Sequence, residues 1–227
     1  MNPASLIGHV VELCQLQEDN TQPADRIIGK FFRERKYLGS HDRRFISEFV
    51  FGIIRHRRFI EALFERYLDE HKGAEDLNIS RKRYLPLCVV YATAVAQESV
   101  TIGSFESLWK TSFPGHDLRS FGDFMLSHKT LAFLPEDRAV QLGVKYSFQD
   151  WMVEEWIEQL GNEAESLLSA LNSSANTTLR VNLMKTTREE CQKRLQEEGI
   201  ETMPTAISPS GLVAQKRFQA QSSQTFR

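Results

Sequence analysis

Apolar residues in the first part of the chain recur at helical intervals. Leu6, Ile7, Val10, Val11 and Cys14 share a face over residues 4–17, and Ile27, Ile28, Phe31 and Phe32 do so over 24–36. "YLGSHD" then breaks the pattern, with Gly39 past one helix and Ser40 as the expected N-cap of the next. From His41 to about Phe64 the apolar set is Phe45, Ile46, Phe49, Val50, Ile53 and Ile54, then Ile60, Leu63 and Phe64. This predicts a helix that carries Arg44 through Arg58. "HKGAEDLNIS" reads as a polar connection, Arg81–Gln97 as a buried helix, and 102–129 as a less regular stretch broken at Pro114–Gly115.

The pattern changes after "FLPEDRAV". Val153, Trp156, Ile157 and Leu160 predict a helix stopped by Gly161, and "NEAESLLSALN" predicts a short second one. Leu179, Val181 and Leu183 then alternate with Thr178, Arg180 and Asn182, the period of a half-buried strand. "TREECQKRLQEEG" follows as a helix, with Thr187 and Glu190 as a capping box and Gly199 as its stop. "IETMPTAISPSGLVAQ" reads as two short strands around a Pro-Ser-Gly turn. The expected fold is mainly α: a helical bundle over 1–145, a helical linker over 146–175, and a small, incomplete α+β subdomain over 176–227.

Composition narrows the class. The chain has 227 residues, of which 41% are hydrophobic and 26% charged, as in an ordinary folded protein. The longest apolar run, Leu85–Ala96, is too short to span a bilayer. "MNPASLIGHVVELC" has no positive segment ahead of its apolar part, unlike a signal peptide. Three scattered cysteines, Cys14, Cys88 and Cys191, suit a reducing cytoplasm and read as buried, inert thiols. Trp151 and Trp156 read as helix-packing anchors.

Charge is where the chain departs from the ordinary. Residues 30–58 hold nine Lys and Arg against Glu34, Asp42 and Glu48, a local +6 in a chain whose formal total is −2. At about 100° per residue, Arg44, Phe51, Arg55 and Arg58 fall together opposite the apolar stripe. Arg26, Lys30 and Arg33 do the same on the preceding helix, with Tyr37 joining them if that helix extends so far. Guanidinium groups pair with phosphate oxygens and an exposed ring stacks on an unpaired base. The pattern therefore fits an RNA-contact surface, or simply the solvated side of amphipathic helices. Arg180, Asn182 and Lys185 present the same alternative on the predicted strand. No His pair or Cys/His cluster has zinc spacing, and no nucleophile elbow, Walker A or dinucleotide loop occurs, so no metal site and no catalytic constellation are expected.

Two blocks carry a resemblance. "ADRIIGKFFRERKYLGSHDRRFISEFVFGIIRHRRFI" resembles the NusB-like N-terminal domain of bacterial 16S-type rRNA cytosine-C5 methyltransferases. "KYSFQDWMVEEWIEQLGNEAESLLSALNSSANTTLRVNLMKTTREECQKRLQEEGI" is similar to the helical linker and RNA-recognition-like (ferredoxin-like) subdomain that follow it in that family. The resemblance implies RNA binding by Arg26, Lys30, Arg33, Arg44, Phe51, Arg55 and Arg58, with Arg180, Asn182 and Lys185 carried over from the "LRVN-x-x-K" stretch. It implies ribosomal RNA as partner, a monomer in the cytoplasm, and S-adenosylmethionine as the cofactor of a catalytic domain whose motifs do not occur in these residues. This chain alone is then expected to be inactive. The other reading is a non-enzymatic NusB-type module acting in antitermination or ribosome assembly.

Overall fold

Helices form where the apolar spacing predicts them. The computed structural model describes residues 2–96, 100–173, 175–216, 218 and 220–226. Two compact units divide the chain, Met1–Asn172 and Ser173–Arg227.

In the first unit, α1 (Pro3–Glu18) starts where the Asn2 side chain accepts the Ala4 N–H at 3.0 Å and Pro3 fills the first turn. It buries Ile7, Val10, Leu13 and Cys14 against α2 (Ala24–Glu34), which buries Ile27, Ile28 and Phe31. The N-cap of α3 (Ser40–Arg55) is Gly39, not Ser40, because the Asp42 carboxylate accepts the Gly39 N–H at 3.3 Å. This helix buries Ile46, Phe49, Val50 and Ile53, while Ile54, at the margin of the stripe, is 39% exposed.

The helix predicted to run through Arg58 ends at Arg55, and α4 (Arg57–Glu70) begins one residue past His56. The sequence has no Pro or Gly at this break. Its cause is a distant contact: the Phe59 N–H bonds to Ser147 Oγ at 3.2 Å rather than to the preceding turn. Behind these helices, every residue of α5 (Tyr84–Val90) is buried, and a π-helical turn, Tyr91–Val95, follows it. Gln97, the predicted end of that helix, lies outside the described residues. Pro114–Gly115 separates α6 (Glu106–Ser112) from α7 (Leu118–His128) as expected, and the Trp109 indole N–H donates to the His116 carbonyl at 2.9 Å across the bend.

The elements expected to form a linker, α9 (Asp150–Leu160) and α10 (Ala164–Asn172), pack with α8 (Arg138–Tyr146) through Ala139, Leu142, Val153 and Leu168. Trp156 meets Phe148 edge-on at 5.3 Å, as an anchor should. Trp151 does not anchor anything: two residues before the buried Val153, it points away from this core and is 67% exposed.

The second unit is a three-stranded antiparallel sheet with one helix. Its elements are β1 (Thr178–Arg180), α11 (Arg188–Glu197), β2 (Thr202–Pro204) and β3 (Gly211–Ala214), in the order β1-β3-β2. β1 and β2 run parallel with β3 between them, a split β-α-β arrangement as in ferredoxin-like folds. Thr187 caps α11 by accepting the Glu190 N–H at 3.2 Å, and Gly199 follows it at φ +77°. Val181, Leu195 and Leu212 are the core. The predicted alternation stops at Val181. Asn182 folds the chain into a turn, its Oδ1 accepting the Met184 N–H at 3.1 Å, and Leu183 is left 59% exposed.

Candidate nucleic-acid interface

The nine cations between residues 30 and 58 separate into two kinds. Arg35 lies 3.7 Å over the Phe31 ring and 2.5 Å from Glu12. The Arg43 Nε donates to the Leu38 carbonyl at 2.8 Å, and Arg57 pairs with Glu61 at 2.9 Å and Glu18 at 3.8 Å. Arg58 donates to the Phe148 carbonyl at 2.5 Å and pairs with Asp150 at 2.6 Å. These four arginines hold the helical unit together. The placement of Arg58 on the Arg44–Phe51–Arg55 face is thereby corrected, because the break at His56 turns it toward the loop before α9.

Lys30, Arg33, Lys36 and Arg55 are exposed and have no ion-pair partner among the described residues. Arg26 is likewise exposed and unpaired there, and with Lys30 and Arg33 it forms one stripe along α2 at i, i+4 and i+7. Tyr37 is exposed but lies beyond the end of α2, so it leaves this stripe. On α3, Arg44, Phe51 and Arg55 form the second stripe. Phe51 is 39% exposed, with Ile54 beside it. Arg44 pairs with Glu48 at 2.8 Å, but with both side chains mostly in solvent. Such a pair is worth only about 0.3–0.5 kcal/mol, so a phosphate can displace the carboxylate.

Two residues that the sequence did not single out border this stripe. Gly52 lets Tyr91 cross close over α3, since a Cβ there would lie 1.9 Å from the Tyr91 hydroxyl. The His56 ring lies 6.4 Å from Tyr91 at 29°. Burial, and secondarily the neighbouring Arg55, pushes the His56 imidazole below its ordinary value; burial pushes the Tyr91 phenol up. Near neutral pH, Arg55 thus stands next to an uncharged imidazole and an intact phenol, both able to hydrogen-bond a base edge. The π-helical turn that presents Tyr91 leaves no mark in the sequence pattern.

In the second unit, Arg180, Asn182 and Lys185 come together. They line one cavity between β1, the turn after it, α11 and residues 224–226, and Arg194 joins them. Arg180 and Lys185 are exposed and have no carboxylate partner among the described residues, whereas Arg194 meets Glu190 at 3.2 Å. Among the described residues no group of three or more His, Cys, Asp or Glu is placed to hold a metal, and no helix is long and apolar enough to cross a membrane.

The chain thus combines a helical unit that carries exposed arginines with a split β-α-β unit of the ferredoxin-like class. Residues 148–221 match the model of the RsmF/B-like methyltransferase family's ferredoxin-like domain. The chain is 30% identical over 185 residues to a protein of Synechocystis sp. named probable ribosomal RNA small subunit methyltransferase B, covering 77% of this chain and 40% of that protein. A Bacillus subtilis protein of the same name is 22% identical over 190 residues, covering 81% of this chain and 42% of the relative. The crystal structure of PH0851 shares the fold, with a TM-score of 0.56 at 19% identity over all of this chain and 51% of that one. Residues 148–221 thus carry the ferredoxin-like domain of that family, and the chain spans about two-fifths of the length of these curated relatives.

Proposed function

We propose that this chain is the RNA-gripping part of an S-adenosylmethionine-dependent rRNA cytosine-C5 methyltransferase, acting as a monomer in the cytoplasm. The carrying observation is the outer side of α2 and α3. There Arg26, Lys30 and Arg33 stand in solvent along α2, and Arg44 and Arg55 stand in solvent on the α3 face that carries the half-exposed Phe51. Cations spaced along two helices suit successive phosphates, and a ring between them suits an unstacked base. Such a surface favours single-stranded RNA, which a cytosine methyltransferase needs because its target base must be unpaired or flipped out. Arg58 has no place in this grip; its guanidinium is committed to Phe148 and Asp150.

The methyl transfer itself belongs to residues outside this chain, so calorimetric titration with S-adenosylmethionine is expected to give no binding heat. Measurable affinity would put a cofactor site within residues 1–227. RNA binding is tested by titrating a single-stranded fragment of small-subunit rRNA and the same fragment in a duplex. The single strand should bind more tightly, and with four to six phosphates engaged log K should fall against log[salt] with a slope of roughly −3 to −4. Equal affinity for both forms, or no salt dependence, would overturn the reading.

A further inference from the structure

The cavity of the second unit has a composition of its own. It measures about 390 Å³, within the roughly 300–1,000 Å³ typical of small-molecule sites. Its floor is apolar, made by Leu179, Val181, Cys191 and Leu195. Its rim is cationic, with Arg180 at the end of β1, Lys185 in the following turn and Arg194 on α11. The nearby Glu198 is already occupied, accepting the Thr225 N–H at 2.9 Å and its hydroxyl at 2.6 Å. The only carboxylate paired with the rim among the described residues is Glu190, on Arg194.

The free edge of β1 adds donors beside the cavity. Val181 N–H bonds to Ser210 O and Ala214 N–H to Thr177 O, and Leu179 stands opposite Leu212. Alternate residues of β1 therefore face β3, and Thr178 and Arg180 direct their N–H groups to the free edge. Arg180 is also among the residues that line the cavity. Thr186 lines it too, and its hydroxyl oxygen is buried with no hydrogen-bond partner among the described residues.

We propose that this cavity seats one unpaired nucleotide of the RNA, its base against the apolar floor and its phosphate among Arg180, Lys185 and Arg194. The proposal rests on the RNA-binding reading and gives the second unit its own share of it. A flat apolar surface accepts any base, and three cations with outward donors fix the phosphate. The same open edge suits an added peptide strand by β-augmentation. The cationic rim favours the nucleotide, and the peptide becomes an outcome of the test.

Cys191 supplies the probe. It lines the cavity and is half-buried, whereas Cys14 and Cys88 are buried, so maleimide alkylation of the native full chain reports on this site. Burial holds the Cys191 thiol above its ordinary value, so the reaction is followed at pH 8, where it is slow enough to time. Millimolar uridine 5′-monophosphate should slow alkylation at least threefold, and a single-stranded RNA tetramer should do so at lower concentration. Lys185→Ala and Arg194→Ala, both changes at solvent-facing positions, should each weaken that protection severalfold. Equal protection by inorganic phosphate alone would remove the base seat and overturn the proposal. So would protection by an extended hexapeptide but not by the nucleotide. If nucleotide and tetramer both leave Cys191 unprotected while the chain keeps its salt-dependent RNA affinity, the cavity is refuted and the α2–α3 face stands. If the tetramer protects while charge removal on α2 and α3 changes nothing, the face is refuted and the cavity stands.

Discussion

Arginine in this chain does two jobs that look alike in one dimension. Arg55 and Arg58 are three residues apart in the same basic run, yet one is exposed with no ion-pair partner among the described residues and the other is bound to Phe148 and Asp150. The partners of Arg58 lie about ninety residues away in sequence, so no local pattern separates the two. Arg58→Ala should therefore lower stability by about 1.5–3 kcal/mol, the scale of a lost hydrogen bond to a charged group, leaving the Phe148 carbonyl unpaired. Urea denaturation at pH 7 checks this, and an unchanged midpoint would mean the clamp contributes nothing. By contrast, the exposure of Phe51 was legible, because a ring opposite a six-residue apolar stripe has nowhere to be buried on its own helix. Trp151 shows the limit of the same logic: large apolar residues suggest anchors, but its helix buries Val153 instead.

Whole helices were easier to read than their ends or joints. The stripes on α1, α2 and α3 announce themselves because each buries one face against the others. The break at His56 was hidden, since it is set by Ser147 reaching the Phe59 N–H. Equally hidden was the crossing of α3 by Tyr91. Gly52 stands mid-helix, where glycine usually costs stability relative to alanine, and the structure shows the reason in the phenol lying over it. Gly52→Ala should thus destabilise the chain by about 1–3 kcal/mol despite its better helix propensity, because Tyr91 must move out. A rise in thermal midpoint would show that Tyr91 is free to yield. The same displacement should disturb Arg55 and His56, so the variant's RNA affinity is expected to drop with its stability.

Across the whole molecule, charge is concentrated rather than spread. Residues 30–58 carry +6 and the remainder −8, so an acidic protein gathers its positive charge in one region, as the proposed grip on a polyanion requires. The two units also differ in how much holds them. The first has a continuous core containing Phe31, Phe64, Phe105, Trp109, Phe113 and Phe121, while the second rests on Val181, Leu195 and Leu212. Hydrogen exchange should accordingly be faster in β1, α11 and β3 than in α1, α3 and α5, with protection differing by tenfold or more, about 1.4 kcal/mol or more in opening free energy. Uniform protection would contradict the unequal cores. The sequence showed the order of strands and helices in the second unit but not its cavity, which needs both the turn at Asn182 that brings Lys185 back to Arg180 and α11 and the return of residues 224–226.

On the proposed reading, solvent-facing arginines of α2 and α3 hold RNA phosphates while the clamping ones do not. The most direct test compares the salt dependence of single-stranded rRNA binding in three proteins: the unaltered chain, the triple variant Arg33→Ala, Arg44→Ala and Arg55→Ala, and Arg58→Ala. Loss of three phosphate contacts should make the log–log slope shallower by about 2 in the triple variant. Arg58→Ala should keep the original slope although it is less stable. An unchanged slope in the triple variant, or an equal loss in Arg58→Ala, would contradict the account.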